Sequence, residues 1–476
     1  MCKSTLCALR AVAILFGLIP VAFSQDAPTS AAAAAGKTLW VTNDGADSAT
    51  CGSRAKPCRS ISQAIENASD GDSIGVGAGH YGNVSGNPNF GGPGDEHPGF
   101  PDIGHHPQLG PNAAGCIVCI TKALRISSIH GAAVTVIEGS PSTPYSSNVM
   151  IAHDHVVFGT KNNGFTITGG NTYGVTVAYG LNGFNTTLGH ITVAGNVDVN
   201  DTNGFVFSGE YLTALERGSC PPDACFRLSP IVFSDNQAFG NGIGFSVVAN
   251  ADIGPVFVRN NLASGAGSGF VADAGNCPSC DETFSGNGLD QVTDNVAAHC
   301  GTGFSMYTVG VVEGNTASGN ANAGFIIHAP VTESFRSNSA IGNGGPGVIV
   351  NFSPDEFDLQ APGSGFLAFS RNNFFGNDRN RPALTLGAPY VAAFNPGPSA
   401  HCGVLNVGAL AAISGPVAVT PPPTINLQAA GNFWGSTNGP APTGPGDAVG
   451  GACDQNGGVT GAKPFATVAF GITSLN

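Results

Sequence analysis

The stretch GNTASGNANAGF, Gly314 to Phe325, carries both marks of a repeating unit. Asn315 opens an Asn-x-Ala triplet, and a Gly-Phe step, Gly324-Phe325, follows nine residues later. Asn236, Asn261, Asn295 and Asn338 open the same triplet. Eight or nine residues beyond them come Gly244-Phe245, Gly269-Phe270, Gly303-Phe304 and the conservative variant Gly347-Val348. Further Gly-Phe steps stand at Gly164-Phe165, Gly183-Phe184, Gly204-Phe205 and Gly365-Phe366. Most steps are 18 to 25 residues apart; the two long intervals, 40 and 34 residues, hold Cys220/Cys225 and Cys277/Cys280 and read as loops inserted into a regular coil.

Just before each marker Asn comes a short β-type run: Ile231-Val232-Phe233, Val256-Phe257-Val258, Gln291-Val292-Thr293 and Val311-Val312-Glu313. Short strands separated by Gly/Asn turns, without helical periodicity, make up each unit. A unit of about 20 residues cannot bury its own apolar face, so the units must stack. Stacking gives parallel strands, a column of Phe inside and a column of Asn at a turn, where Asn tolerates the left-handed conformation and its amide bonds along the stack. The expected fold is all-β, a parallel β-helix built from a single chain.

Other segments support this reading. Cys58-Arg59-Ser60-Ile61-Ser62-Gln63-Ala64-Ile65, then Gly71-Asp72-Ser73-Ile74 and Gly79-His80-Tyr81, describe a short amphipathic helix followed by a first rung. With Ile61, Ala64 and Ile65 on one side, that helix would cover the open end of the apolar column. Near the C-terminus stands Gly431-Asn432-Phe433-Trp434-Gly435. In these segments and in its repeat, the chain resembles the right-handed parallel β-helix, or pectate-lyase-like, superfamily over roughly residues 37 to 465. The resemblance implies the right-handed coil with its N-terminal capping helix. It leaves the activity open, because the superfamily includes lyases, hydrolases, epimerases, adhesins and maturation proteins.

The beginning of the chain reads as an export signal over residues 1–24. Lys3 and Arg10 precede or open the apolar run Ala11 to Phe23, which is too short to span a membrane, and Ala22-Phe23-Ser24 offers a small-residue cleavage site. An Ala-rich tether, 25–36, leads to the β-helix domain, 37–470, with loops inserted near 83–115, 214–230 and 274–288. A secreted or periplasmic location follows. Removing Lys3 and Arg10 leaves 15 basic residues against 31 acidic ones, a net charge of −16, which argues against a nucleic-acid partner. Of 13 cysteines, 11 follow the signal, and Cys51/Cys58, Cys116/Cys119, Cys220/Cys225, Cys277/Cys280 and Cys402/Cys453 read as disulfides in an exported protein. Cys300 is left as the odd thiol and is expected to be buried.

Strand alternation sorts the side chains. If each Phe of the Gly-Phe step points inward, the residue three later points outward. Those residues are Ser208, Val248, Asp273, Tyr307, His328 and Asn351. Asp273, Tyr307 and His328 would form a stripe able to hold a sugar or to supply an acid and a base for β-elimination or epimerisation of a uronate. A second outward column, two residues before each marker Asn, reads Ser234, Arg259, Thr293, Glu313 and Arg336. Its arginines suit the carboxylates of an acidic polysaccharide, with Asn351 as a further contact; they equally suit surface ion pairs with Glu313.

The insertion Gly91 to Gly115 carries Asp95, Glu96, His97, Asp102, His105 and His106. His97, His105 and His106 are the candidate metal ligands, although no spacing matches a known site class. His153-Asp154-His155, read as a strand, would place two imidazoles on one face. The superfamily's calcium-dependent lyases cluster acidic residues beside a basic one; Asp273, Asp281 and Glu282 with Arg259 are the nearest grouping, so calcium is the cofactor to consider. Asn-Thr-Asp and Asp-Asp, which serve its hydrolases, are absent. The expected function is an exported protein that binds a polysaccharide on an exposed sheet face, with lyase or epimerase chemistry as an extension. A cell-surface adhesion protein and a periplasmic metal-site maturation factor are the alternatives. Oligomeric state is not legible in the sequence.

Overall fold

The structure is a computed structural model that describes residues 36–87, 90, 92, 94–99, 115–140, 145–178, 189–209, 230–249, 256–273, 291–306, 310–329, 334–352, 368–378, 401–409, 425–454 and 458–473. The expected signal, tether, Cys220/Cys225 and Cys277/Cys280 lie outside these residues. The described chain winds into a parallel β-helix with three sheets. One rung runs through Ile231–Ser234 in the first sheet, Gln237–Phe239 in the second and Ile243–Ala249 in the third. The first sheet extends from Thr38–Val41 to Ala368–Ser370, the second from Gly79–Gly82 to Asn373–Phe375, and the third from Cys116–Ile120 to Val404–Ala409.

The marker Asn sits at the corner between the first and second sheets. From Asn196 through Asn236, Asn261, Asn295, Asn315, Asn338 and Asn372 to Asn432, each backbone N–H donates to Oδ1 of the next Asn at 2.8–3.0 Å. The Nδ2 of an interior member donates to a first-sheet carbonyl one rung back, as Asn295 does to Val258 O at 2.8 Å. These amides are fully buried, so the ladder satisfies polar groups that would otherwise be costly to bury. The residue before each has a left-handed φ, from Asp235 at 56° and Asn260 at 55° to Ser337 at 55°. Asp, Asn and Gly tolerate that conformation best, which explains their frequency there.

A second ladder, not anticipated in the sequence, runs down the next corner. Cys300 N–H donates to Asn320 Oδ1 (2.9 Å), Asn320 N–H to Asn343 Oδ1 (3.1 Å) and Asn343 N–H to Asn377 Oδ1 (3.2 Å). Cys300, a buried thiol outside any disulfide as expected, holds an Asn position here.

Phe205, Phe245, Phe270, Phe304 and Phe325 stack in the third sheet with centroids 4.7–4.9 Å apart and planes within 6–12°. Val348 continues the column after Phe325, by register. The Ala of each Asn-x-Ala points inward from the second sheet: Ala238, Ala263, Ala297, Ala317 and Ala340 pair in register and are fully buried. These small side chains lie against the glycines that precede the phenylalanines, while Phe325 meets Phe335 of the first sheet edge to face at 5.2 Å, so the core is closely filled. The preceding Gly is required by close approach. A Cβ on Gly244 would lie 2.7 Å from Gly269 O and 2.9 Å from the Ala263 Cβ.

Gly164-Phe165 is a correction to the expected repeat. Register places Phe165 opposite Asn196, at the corner, where its N–H donates to Asn196 Oδ1 at 3.0 Å and begins the ladder. In the third sheet, Val175 pairs with Phe205 and takes the Phe place. Phe184 and Phe366 lie outside the described residues.

The expected helix is Ile61–Asn67, with Ser60 Oγ accepting from Gln63 N and Ile61, Ala64 and Ile65 in the core. At the other end Asn432 closes the ladder and Trp434 lies fully buried against Phe374, 5.1 Å between ring centroids. The disulfides Cys51–Cys58, Cys116–Cys119 and Cys402–Cys453 form as expected. Among the described residues no helix is long and apolar enough to cross a membrane.

One rung carries an acid into the core. Where five rungs have Asn-x-Ala and the last two have Asn372-Asn373-Phe374 and Asn432-Phe433-Trp434, this one has Asn196-Val197-Asp198, and the Asp198 carboxyl enters the core with no exposure. Gly174 makes room: a Cβ there would fall 1.7 Å from Asp198 Oδ2. Asp198 Oδ1 accepts from Asn241 Nδ2 at 2.5 Å, and Asp201, itself buried, accepts from Asn148 Nδ2 and Asn171 N–H at 2.8 Å each. Burial, and then the charge of the neighbouring Asp201, push the Asp198 carboxyl well above the ordinary range. Burial also raises Asp201.

Two outcomes are expected. Asn295→Ala leaves the Asn261 N–H without its acceptor and should cost about 2–4 kcal/mol, read as a lower urea midpoint at unchanged slope. A raised carboxyl pKa means that the folded state keeps a proton the unfolded chain releases, so this pair's contribution falls as pH rises above about 4. Asp198→Asn should therefore raise the melting temperature at pH 8, and the difference from the parent should shrink towards pH 4.

Candidate functional site

The two outward columns predicted from alternation fall on different sheets. On the third, Val248 pairs with Asp273 and His328 with Asn351. Met306, the last described residue of the intervening strand, pairs with Ala272 and Ile327. The side chains of Asp273, His328 and Asn351, and all of Tyr307, Asp281 and Glu282, lie outside the described residues.

The neighbouring outward column on that sheet is mostly buried, with Ser246 and Val271 half-buried. It runs Val206, Ser246, Val271, Ser305, Ile326, Ile349 and Leu405 in register. Ile326, Ile349 and Leu405 are buried in a satellite apolar cluster with Ala323, Val407 and the Cys402–Cys453 bridge. An outward strand position is therefore not an exposed one on this sheet.

The first sheet carries the other column. Ser234 pairs with Arg259, Arg259 with Thr293, Thr293 with Glu313, Glu313 with Arg336 and Arg336 with Ser370. The preceding core positions, Phe233, Val258, Val292, Val312 and Phe335, are buried and fix which way the column points. Arg259 and Arg336 are exposed, while Thr293 and Glu313 are half-buried. The two arginines stand three rungs apart, about 14 Å at ordinary strand spacing.

Ion pairing between Glu313 and its arginine neighbours is not found. Among the described residues neither Arg259 nor Arg336 has an ion pair. Glu313 Oε1 instead accepts from the Ser334 hydroxyl on the next rung. That bond engages the carboxylate, and the guanidinium forks are left exposed to solvent. The corner residue Asp294 lies close to Glu313; partial burial first, and then the Glu313 charge, raise its carboxyl above the ordinary range. The column thus presents a cation, an acidic centre and a second cation along the axis. Ser334 follows from alternation in the same way as Arg259, although the sequence alone does not show that it binds Glu313.

The acidic residues of the long insertion are engaged structurally. Glu96 is fully buried and accepts from Ile61 N–H (2.9 Å), Ser62 N–H (2.6 Å) and Ser62 Oγ (2.6 Å), pinning the insertion to the capping helix. Asp95 accepts from Ser85 N–H at 2.7 Å and Gly92 N–H at 2.8 Å. His97 faces Glu66 at 3.3 Å on the surface. His105, His106 and Asp102 lie outside the described residues. Asp47, Cys51 and Cys58 also gather, but the two sulfurs bond each other and Asp47 Oδ1 accepts from the backbone N–H groups of Arg59 and Ser60 at 2.8 and 3.0 Å.

No family model matches the chain, and no curated protein matches it. Among solved structures it is similar to an alginate lyase from Paenibacillus sp. str. FPU-7, at 12% identity and a TM-score of 0.27, covering 66% of this chain and 93% of that one. It is also similar to the GH136 lacto-N-biosidase from Eubacterium ramulus, at 10% identity and a TM-score of 0.41, covering 90% of this chain and 68% of that one. At these scores no residue of either enzyme can be set against a residue of this chain.

Proposed function

We propose that the protein is an exported β-helix that binds a polysaccharide lengthwise along its first sheet. The observation that carries the reading is the column Arg259–Thr293–Glu313–Arg336, in register and open to solvent, with both guanidinium groups free of ion pairs among the described residues. A guanidinium fork binds carboxylates and vicinal hydroxyls in two-pronged fashion. Glu313, held by Ser334, accepts sugar hydroxyls between the two forks. A chain bearing carboxylates spaced to meet Arg259 and Arg336 meets favourable charge at both ends, and its hydroxyls meet the acid in the middle. Stacked disulfide-braced rungs give the rigid platform that such recognition needs.

Lyase or epimerase chemistry through Asp273, Tyr307 and His328 is an extension of this proposal. Its test is the unsaturated product released from uronate polymers, whose absence across pH, with and without calcium, counts against it.

For the binding itself, affinity electrophoresis in polygalacturonate, alginate and a neutral glucan should show retardation in the acidic polymers that weakens with salt. Arg259→Ala/Arg336→Ala together should lose at least tenfold in affinity, since a hydrogen bond to a charged group contributes about 1.5–3 kcal/mol. Unchanged retardation of the double variant, or none in the parent, overturns the reading.

A further inference from the structure

Away from the arginine column, imidazoles meet where the chain turns from the third sheet into the first. His155 and His190 precede the first-sheet strands Val157–Phe158 and Ile191–Ala194, and the pairing of Val157 with Thr192 puts them opposite one another on successive rungs. Both have the same left-handed backbone, φ 54°, so their side chains leave the coil in the same direction. Both are exposed. His153-Asp154-His155 is a turn here, not the strand expected from sequence. The turn lets a single carboxylate reach two rings. Asp154 Oδ2 lies 3.1 Å from Nδ1 of His155 and Oδ1 lies 2.9 Å from Nδ1 of His153. The Nδ1 of His153 also meets the Asp154 carbonyl oxygen at 2.9 Å.

Facing a carboxylate, Nδ1 of the neutral ring carries the hydrogen and Nε2 is left with its lone pair. A carboxylate behind an imidazole in this way fixes the tautomer and the orientation of a metal-binding ring. The rings of His155 and His190 have centroids 4.7 Å apart and planes tilted by 39°. The phenyl ladder one sheet away has the same spacing but tilts of only 6–12°, so rung repetition sets the distance and not the tilt. Two imidazoles on one ion, each with a nitrogen–metal bond of about 2.0–2.1 Å, have centroids about 4.5–5.2 Å apart. The exposed rings need only rotate about their own bonds to meet that geometry.

We propose that His155 and His190 form a surface site for a borderline divalent transition ion, Zn2+, Cu2+ or Ni2+, with Asp154 as the positioning residue behind His155 and water completing the coordination. Imidazole pairs select such ions over calcium and magnesium, which take oxygen donors. The site is separate from the arginine column and does not depend on the polysaccharide reading.

The test is metal titration of the full chain after chelator treatment, with Zn2+ followed by calorimetry and Cu2+ by electron paramagnetic resonance. One ion per chain is expected at this site, with two equivalent nitrogens in the copper spectrum. His155→Asn and His190→Asn, which keep a residue type suited to the left-handed backbone, should each weaken binding at least tenfold. Asp154→Asn should weaken it about 10–100-fold while leaving the two-nitrogen signature. Substituting His97, His105 and His106 together should change nothing at this site. The proposal is overturned if the parent binds no ion, if binding survives loss of both His155 and His190, or if it vanishes only in the triple insertion variant.

Discussion

From Asn196 to Asn432, the buried asparagine amide at each rung bonds chiefly to the rungs on either side of it, and the rest of the structure depends on that constraint. Each Oδ1 of the ladder takes the backbone N–H of the Asn before it, and the interior Nδ2 groups return to carbonyls of the preceding rung. Slipping one strand by a residue would bury several unpaired amide groups, so register is held far more tightly than strand pairing alone requires. Because register is held, outward columns run straight along the axis. Arg259 and Arg336 face the same way through three successive backbone pairings.

The core follows from the same constraint. With rungs locked, five phenyl rings stack one above the next, and the alanines of the second sheet leave room for the glycine backbone that precedes each ring. Stacked pairs add about 0.5–1.5 kcal/mol each beyond their burial. The single acid in the alanine column, Asp198, is tolerated because Gly174 yields space, and Asn241, together with the Asp201 neighbour, supplies bonds. It ties the stability of that rung to pH.

Much of this was readable in one dimension. The triplet Asn-x-Ala states the corner, the spacing and the small inward residue together, and Gly-Phe states the close approach and the large one. Gly164-Phe165 misled because a dipeptide does not say which corner it occupies; Phe165 stands at the head of the ladder, where a backbone N–H and not a ring in the third sheet is what the next rung needs. The second ladder escaped notice because its positions are filled by Asn320, Asn343 and Asn377 on some rungs and by Ala266 and Cys300 on others, so no fixed triplet repeats.

For the site, alternation was enough to place Arg259, Thr293, Glu313 and Arg336 in one column, since a period of two holds wherever inward residues are plainly apolar. Alternation could not show that Ile326, Ile349 and Leu405, pointing outward, are covered by chain around Cys402 and Cys453. Nor could it show that Ser334 holds Glu313 or that His190 comes to lie against His155. The sequence by itself determined the coil, its corners and the direction of its side chains, because these are set by residues within one rung and its copies. Which outward faces stay open, and which distant side chains meet on them, was decided only by the tertiary structure, because covering a face depends on how far the loops and the C-terminal segment reach across other rungs.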